Sequence, residues 1–176
     1  MGKWHQCLTS IALLSEVKPA TRFVVSRRVS GYPRLSFFLG HLPVRILIAD
    51  DVSTARVSLR KLLESHSGWR VCGEAVNGCE AIEQTERLAP DLVILDLRMP
   101  LMNGFQAARE ISRSNPHPPM LLITFQALSE SHLEAARSAG FSGAVTKDCG
   151  REILAAVEAV LNNQEFFHGQ RSVRIA

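Results

Sequence analysis

The chain has 176 residues, 46% hydrophobic and 21% charged, a balance that supports one packed domain with an appendage and excludes a disordered or fibrous chain. Its net charge of +3 is unevenly placed: residues 1–43 carry six basic side chains (Lys3, Lys18, Arg22, Arg27, Arg28, Arg34) against Glu16 alone, while the rest holds 14 basic and 16 acidic residues. The basic excess belongs to the appendage, so the basic balance is poor evidence that the folded part binds nucleic acid.

From position 44 the chain alternates between apolar runs and helix-period segments, the pattern of parallel β/α units. VRILIA (44–49) is a buried-strand candidate, followed by a helix capped at Ser53 with Ala55, Leu59, Leu62 and Leu63 on one face. WRVCGEA (69–75) reads as a second strand; Asn77-Gly78 then turns into a helix containing Ala81, Ile82 and Leu88, which Pro90 stops. DLVIL (91–95) is the third strand, and the loop DLRMPLMNG ends in Asn103-Gly104, a helix-start signal before Phe105, Ala108 and Ile111. SNPHPP (114–119) breaks that helix, MLLIT (120–124) is the fourth strand, and a short helix over about 129–139 ends at Gly140. GAVT (143–146) is a brief fifth strand, and the last helix runs from about Arg151 to Leu161 with Ile153, Leu154, Val157, Val160 and Leu161 as its apolar stripe. Five such units predict a doubly wound sheet, whose site lies outside the carboxyl ends of the strands.

Polar residues fall at that edge. Asp50 and Asp51 end the first strand, Asp96 the third, Thr124 the fourth and Lys147 the fifth. Three carboxylates brought together repel, and a divalent cation resolves the conflict; an oxygen-rich site favours Mg²⁺, which binds one or two carboxylates and phosphate oxygens. Lys147 adds a point charge able to reach a phosphoryl oxygen, and the Thr124 hydroxyl can donate to another. The set suits a carboxylate nucleophile that takes up a phosphoryl group. Each residue alone has a bland explanation as a turn, cap or solvated charge; their joint placement at one strand edge does not.

VRILIADD, DLVILDLRMPLMNG, LLIT and GAVTKD resemble, in order and spacing, the motifs of two-component receiver domains, over about residues 44–163. The resemblance implies an α/β fold with a five-stranded parallel flavodoxin-like sheet of order 2-1-3-4-5. It implies Asp96 as phosphoacceptor, Asp51 as its partner in binding Mg²⁺, Asp50 acting through a metal-bound water, and the Arg98 backbone carbonyl as a further ligand. Thr124 and Lys147 match the switch hydroxyl and phosphate-binding lysine. A sensor histidine kinase or phosphotransfer protein is the implied partner, with a homodimer also open. No independent enzyme is implied: the second position after Asp96 holds Arg98, not an acid, so the expectation is slow self-dephosphorylation tuned by Arg98 and Gln126.

One position departs from the pattern. Three residues before the lysine the family usually carries an aromatic that turns inward on phosphorylation, and here it is Ala144, with Phe141 three residues earlier. Phosphorylation is expected to be retained and its readout through the fourth helix and fifth strand weakened or altered. DLRMPLMNG and TFQALSE look most like the NarL-type branch, whose receivers precede a helix-turn-helix output domain, yet only 15 residues follow Leu161. The expectation is a stand-alone receiver or a regulator truncated before its output, with residues 164–176 as a tail. Alternatives are a phosphorylation-independent pseudo-receiver and a DNA-binding regulator that relies on the basic arm.

Residues 1–43 show no sustained period and read either as a flexible extension or as sequence upstream of the true start. The four cysteines are scattered and the six histidines lie singly, without zinc-ligand spacing. No apolar run is long enough to span a bilayer, and LTSIALL is followed by no clear cleavage site. A reducing cytoplasm without a membrane partner is the expected setting.

Overall fold

A computed structural model of the chain describes residues 42–167. The sequence-based segment 1–43 therefore lies almost wholly outside the described residues, as does the end of the tail beyond Phe167. Eleven elements follow in chain order: β1 (Val44–Ala49), α1 (Ser53–Glu64), β2 (Trp69–Ala75), α2 (Gly78–Leu88), β3 (Leu92–Asp96), α3 (Gly104–Ile111), β4 (Met120–Thr124), α4 (Glu130–Ser138), β5 (Gly143–Thr146), α5 (Gly150–Leu161) and β6 (Phe166–Phe167).

All strand pairs are parallel and the order is β2-β1-β3-β4-β5-β6. The first five strands take the expected 2-1-3-4-5 order. The sheet is six-stranded, however, because Phe166 and Phe167 of the presumed tail pair with Gly143 and Ala144.

Side-chain alternation along the strands divides the core into two layers. Ile46, Ile48, Ile94, Leu121, Ile123 and Val145 face α1 and α5, meeting Leu59, Leu63, Ile153 and Val157. Leu47, Ala49, Val93, Leu95, Leu122 and Ala144 face the other three helices, meeting Ala81, Ala107, Ile111, Leu133 and Ala136. Strands buried on both faces read as continuous apolar runs, which is why β3 and β4 were legible without any alternation of polar residues.

Helix starts differ in how they are held. Asn77 and Asn103 accept from the backbone N–H of Glu80 and Gln106, and at Asn103 the Gln106 side chain completes a capping box. Ser53, expected as a cap, is instead the first helical residue of α1; Val52 stands at the cap and offers no side-chain bond. The acidic loop before α1 is held by other means. No described helix is long and apolar enough to cross a membrane.

Candidate functional site

The carboxyl ends of β1, β3, β4 and β5 converge on one edge, as the topology requires. Asp96 is the last residue of β3 and Thr124 the last of β4; Asp50 directly follows β1 and Lys147 directly follows β5. Asp50, Asp96 and Thr124 are buried, with 1%, 7% and 2% of their surface exposed. Lys147 joins them: its Nζ lies 2.6 Å from Asp50 Oδ2 and 2.6 Å from Asp96 Oδ1. Two buried carboxylates thus share one ammonium, and the trio keeps an excess negative charge.

Backbone groups fix the remaining oxygens. The Arg98 N–H donates to Asp96 Oδ2 at 2.7 Å, and the Val52 N–H donates to Asp50 Oδ1 at 2.9 Å. The Lys147 N–H donates to the Thr124 carbonyl at 2.8 Å, joining the β4 and β5 ends. Thr124 Oγ1 accepts from the Gln126 N–H at 3.1 Å, which places the hydroxyl at the start of the loop leading to α4. Burial pushes the Asp96 carboxyl above its ordinary range; the Lys147 contact and the Arg98 amide work against that shift, and the Asp50 charge adds to it.

Close backbone approach explains Gly104. A Cβ there would lie 2.3 Å from the Asp96 carbonyl oxygen, so the chain leaving β3 can turn back against it only with glycine. The Gly104 N–H donates to the Leu97 carbonyl at 3.1 Å, closing the same loop.

Of the residues singled out from sequence, Asp50, Asp96 and Lys147 are in direct contact, and Thr124 closes the same edge. Asp51 is exposed, and among the described residues no three His, Cys, Asp or Glu side chains come together closely enough to hold a metal. Arg98 is exposed and meets the site through its backbone N–H. Gln126 likewise meets Thr124 through its backbone. Ala144 is fully buried, and Phe141 lies in the same core layer with its ring edge-on to Phe105 at 6.1 Å.

Arg56, Glu74 and Phe125 were missed from sequence. Arg56 of α1 donates from Nη1 to the Asp50 carbonyl at 2.7 Å and from Nε to Glu74 Oε2 at 3.0 Å, anchoring the uncapped acidic loop to β2. Glu74 also pairs with Arg60; burial alone would raise its carboxyl, but the bonds from Arg60 and Arg56 prevail and hold it below the usual range. The signal available was a basic side chain one turn into a helix facing the only acidic residue of the adjacent strand. Phe125, 63% exposed, lies under Lys147 with the ammonium 4.9 Å from its ring centroid. Beside them, a groove of about 460 Å³ runs between α1 and α5, lined by Val52, Leu59, Leu62, Phe125 and Ile153 and bordered by Asp50 and Lys147.

Comparison with known proteins is consistent across sequence and structure. The family model of the response regulator receiver domain matches residues 46–158. A protein-glutamate methylesterase/protein-glutamine glutaminase of Alkalilimnicola ehrlichii is 39% identical over 92 residues, which is 51% of this chain and 24% of that protein. Its counterpart in Pyrococcus abyssi is 39% identical over 102 residues, 58% of this chain and 27% of that protein. The chain therefore spans about a quarter of the length of these relatives. Among solved structures, a LuxR-family two-component response regulator from Aurantimonas sp. SI85-9A1 superposes with a TM-score of 0.68 at 31% identity, covering 70% of this chain and 89% of that one. The signal receiver domain of NarL from Mycobacterium tuberculosis gives 0.65 at 31% identity, covering 70% and 99%.

Proposed function

The chain belongs to the response regulator receiver domain family, and on that premise we propose that it is a phosphorylation switch in which Asp96 accepts a phosphoryl group from a sensor histidine kinase or phosphotransfer protein. The observation that carries this reading is Lys147 bridging Asp50 and Asp96 at the carboxyl edge of the sheet. In the transfer, an Asp96 oxygen forms the new bond to phosphorus as the phosphorus–nitrogen bond of the donor histidine breaks. The bonding pair stays on the donor nitrogen, which takes up a proton. Lys147 holds a phosphoryl oxygen by its charge, the Thr124 hydroxyl donates to another, and the Arg98 N–H keeps the carboxylate oriented.

Mg²⁺, the cofactor the family implies, fits the donor chemistry: Asp50 and Asp96 offer hard oxygens that already meet at a single cation, with negative charge to spare. Asp50, Asp51, Asp96 and the Arg98 carbonyl would hold it, and when bound it supplies positive charge that neutralises phosphoryl oxygens. The apolar groove beside Asp50 and Lys147 gives the phosphoryl donor a surface on which to dock. The setting is cytoplasmic, where such kinases keep their donor histidines. Hydrolysis is limited to slow self-dephosphorylation, with Arg98 and Gln126 flanking the phosphoryl group. The esterase and glutaminase activities named for the relatives belong to proteins of which this chain spans about a quarter.

Incubation with acetyl phosphate and Mg²⁺, followed by intact-mass measurement, tests the proposal. A phosphate-sized gain in the wild type and none in Asp96→Asn is the expected result. A folded, Mg²⁺-binding protein that gains no mass would overturn it in favour of constitutive protein contact without phosphorylation, the reading that Ala144 favours.

A further inference from the structure

β5 would be the open edge of the sheet if β6 did not cover it. The cover is small but held from several sides. Phe166 and Phe167 pair in parallel with Gly143 and Ala144, the Phe166 N–H donates to the Ser142 carbonyl at 3.0 Å, and the Gln164 N–H donates to the Ala159 carbonyl at 2.9 Å. From α4, Arg137 lies over the Phe167 ring, 4.2 Å from its centroid, and its Nε faces Glu165 Oε2 at 3.8 Å. Gly143 permits the approach, because a Cβ there would lie 2.7 Å from the Phe166 carbonyl oxygen. Phe167 packs against the core layer to which Ala144 contributes only a methyl group.

Each side-chain contact is partly exposed and individually weak; Arg137 and Glu165 are 47% and 74% exposed. A two-residue strand held in this way opens far more readily than the central sheet. α4, which holds it, is tethered at its other end to the acidic site. Residues 125–129 join Thr124 to α4, with Phe125 beneath the Lys147 ammonium and the Gln126 N–H on Thr124 Oγ1. A phosphoryl group on Asp96 draws Lys147 and the Thr124 hydroxyl toward its oxygens, and these two groups are the tethers of the loop.

We propose that the β5 edge together with Arg137 is a docking surface for an extended acidic–aromatic segment, that residues 165–167 are its resident occupant, and that phosphorylation of Asp96 releases them through α4. The aromatic readout that Ala144 cannot supply is thereby provided from β6. The release step rests on the phosphoacceptor reading.

Amide exchange across residues 130–138 and 164–167 of the full chain, with and without Mg²⁺ and beryllofluoride, tests this, with fluorine NMR reporting whether the phosphoryl analogue has bound. Loading is expected to speed tail exchange on the order of tenfold in the wild type and to leave Asp96→Asn unchanged. Arg137→Ala, with Phe167→Ala as a second variant, is expected to give fast tail exchange without ligand while the bound fluorine signal persists. A bound fluorine signal with unchanged tail exchange overturns the release and leaves the phosphoacceptor reading standing. Absence of a bound signal overturns that reading and the release with it. Unchanged tail exchange in both Arg137→Ala and Phe167→Ala overturns the docking surface itself.

Discussion

Replacing Asp96 with asparagine is expected to stabilise the folded protein at neutral pH while abolishing phosphorylation. Burial holds the Asp96 carboxyl above its ordinary range despite the Lys147 ammonium, so folding favours its protonated form more than the unfolded chain does. For an acid shifted in that direction, the stabilising contribution is complete below the unfolded pKa and is lost as pH rises through the folded one. As pH rises from the acid range toward neutral, the wild type loses that contribution. Asparagine removes the charge, keeps an acceptor for the Arg98 N–H, and leaves Lys147 paired with Asp50. A single substitution that acts on one buried polar group typically changes stability by on the order of 1 kcal/mol, which sets the size of the gain. For a domain of this size that is about 3–5 °C in Tm. Thermal unfolding followed by circular dichroism, without divalent ions, at neutral pH and again in the acid range, reads the effect. The variant should melt higher at neutral pH, and the gap should close on acidification as wild-type Asp96 takes up its proton. A variant that melts below the wild type at neutral pH would refute the reasoning, because the attraction to Lys147 would then exceed the cost of burying the charge.

Lys147→Gln leaves two buried carboxylates facing one another, so stability should fall by about 3 kcal/mol at neutral pH and recover on acidification as one carboxyl protonates; urea titrations at two pH values check both signs. Gly104→Ala drives a Cβ against the Asp96 carbonyl oxygen, and acetyl-phosphate labelling should drop by roughly tenfold or more because the proposed acceptor is displaced. Ala144→Tyr forces a ring into a fully buried site beside β6 and should cost about 1–3 kcal/mol in chemical denaturation. Arg56→Ala removes the donor to the Asp50 carbonyl and one partner of Glu74, costing about 1–3 kcal/mol and weakening Mg²⁺ binding measured by calorimetry.

The strands of the central sheet were legible because both of their faces are buried. VRILIA, MLLIT and GAVT coincide with β1, β4 and β5 to the residue, and apolar runs bounded by turn residues carry that signal without any long-range information. The positions of Asp50, Asp96, Thr124 and Lys147 were legible for a related reason, since a parallel sheet collects the residue after each strand on one edge. Contacts made across the sheet edge were less accessible. Nothing in the sequence indicates that Lys147 would bridge Asp50 and Asp96 while Asp51, one residue away, stays exposed. That distinction depends on the turn after β1, where the Val52 N–H binds Asp50 Oδ1 and Arg56 holds the Asp50 carbonyl.

β6 shows where periodicity ceases to inform. Two phenylalanines among polar residues have no period, and a two-residue strand forms only because a neighbour with a suitable edge already exists. That neighbour is suitable for reasons written elsewhere in the chain: Gly143 clears the space, Ala144 adds only a methyl group to the core layer, and Arg137 of α4 lies over the Phe167 ring. The absence of an aromatic at position 144 and the presence of one at 167 are separated by 23 residues of sequence, yet the register sets them side by side. Read alone, Ala144 suggests a switch that has lost its reporter. Paired with Phe167, it fits the proposed switch with its reporter on the adjoining strand, and that proposal predicts an effect of phosphorylating Asp96 in the tail as well as in the face of α4.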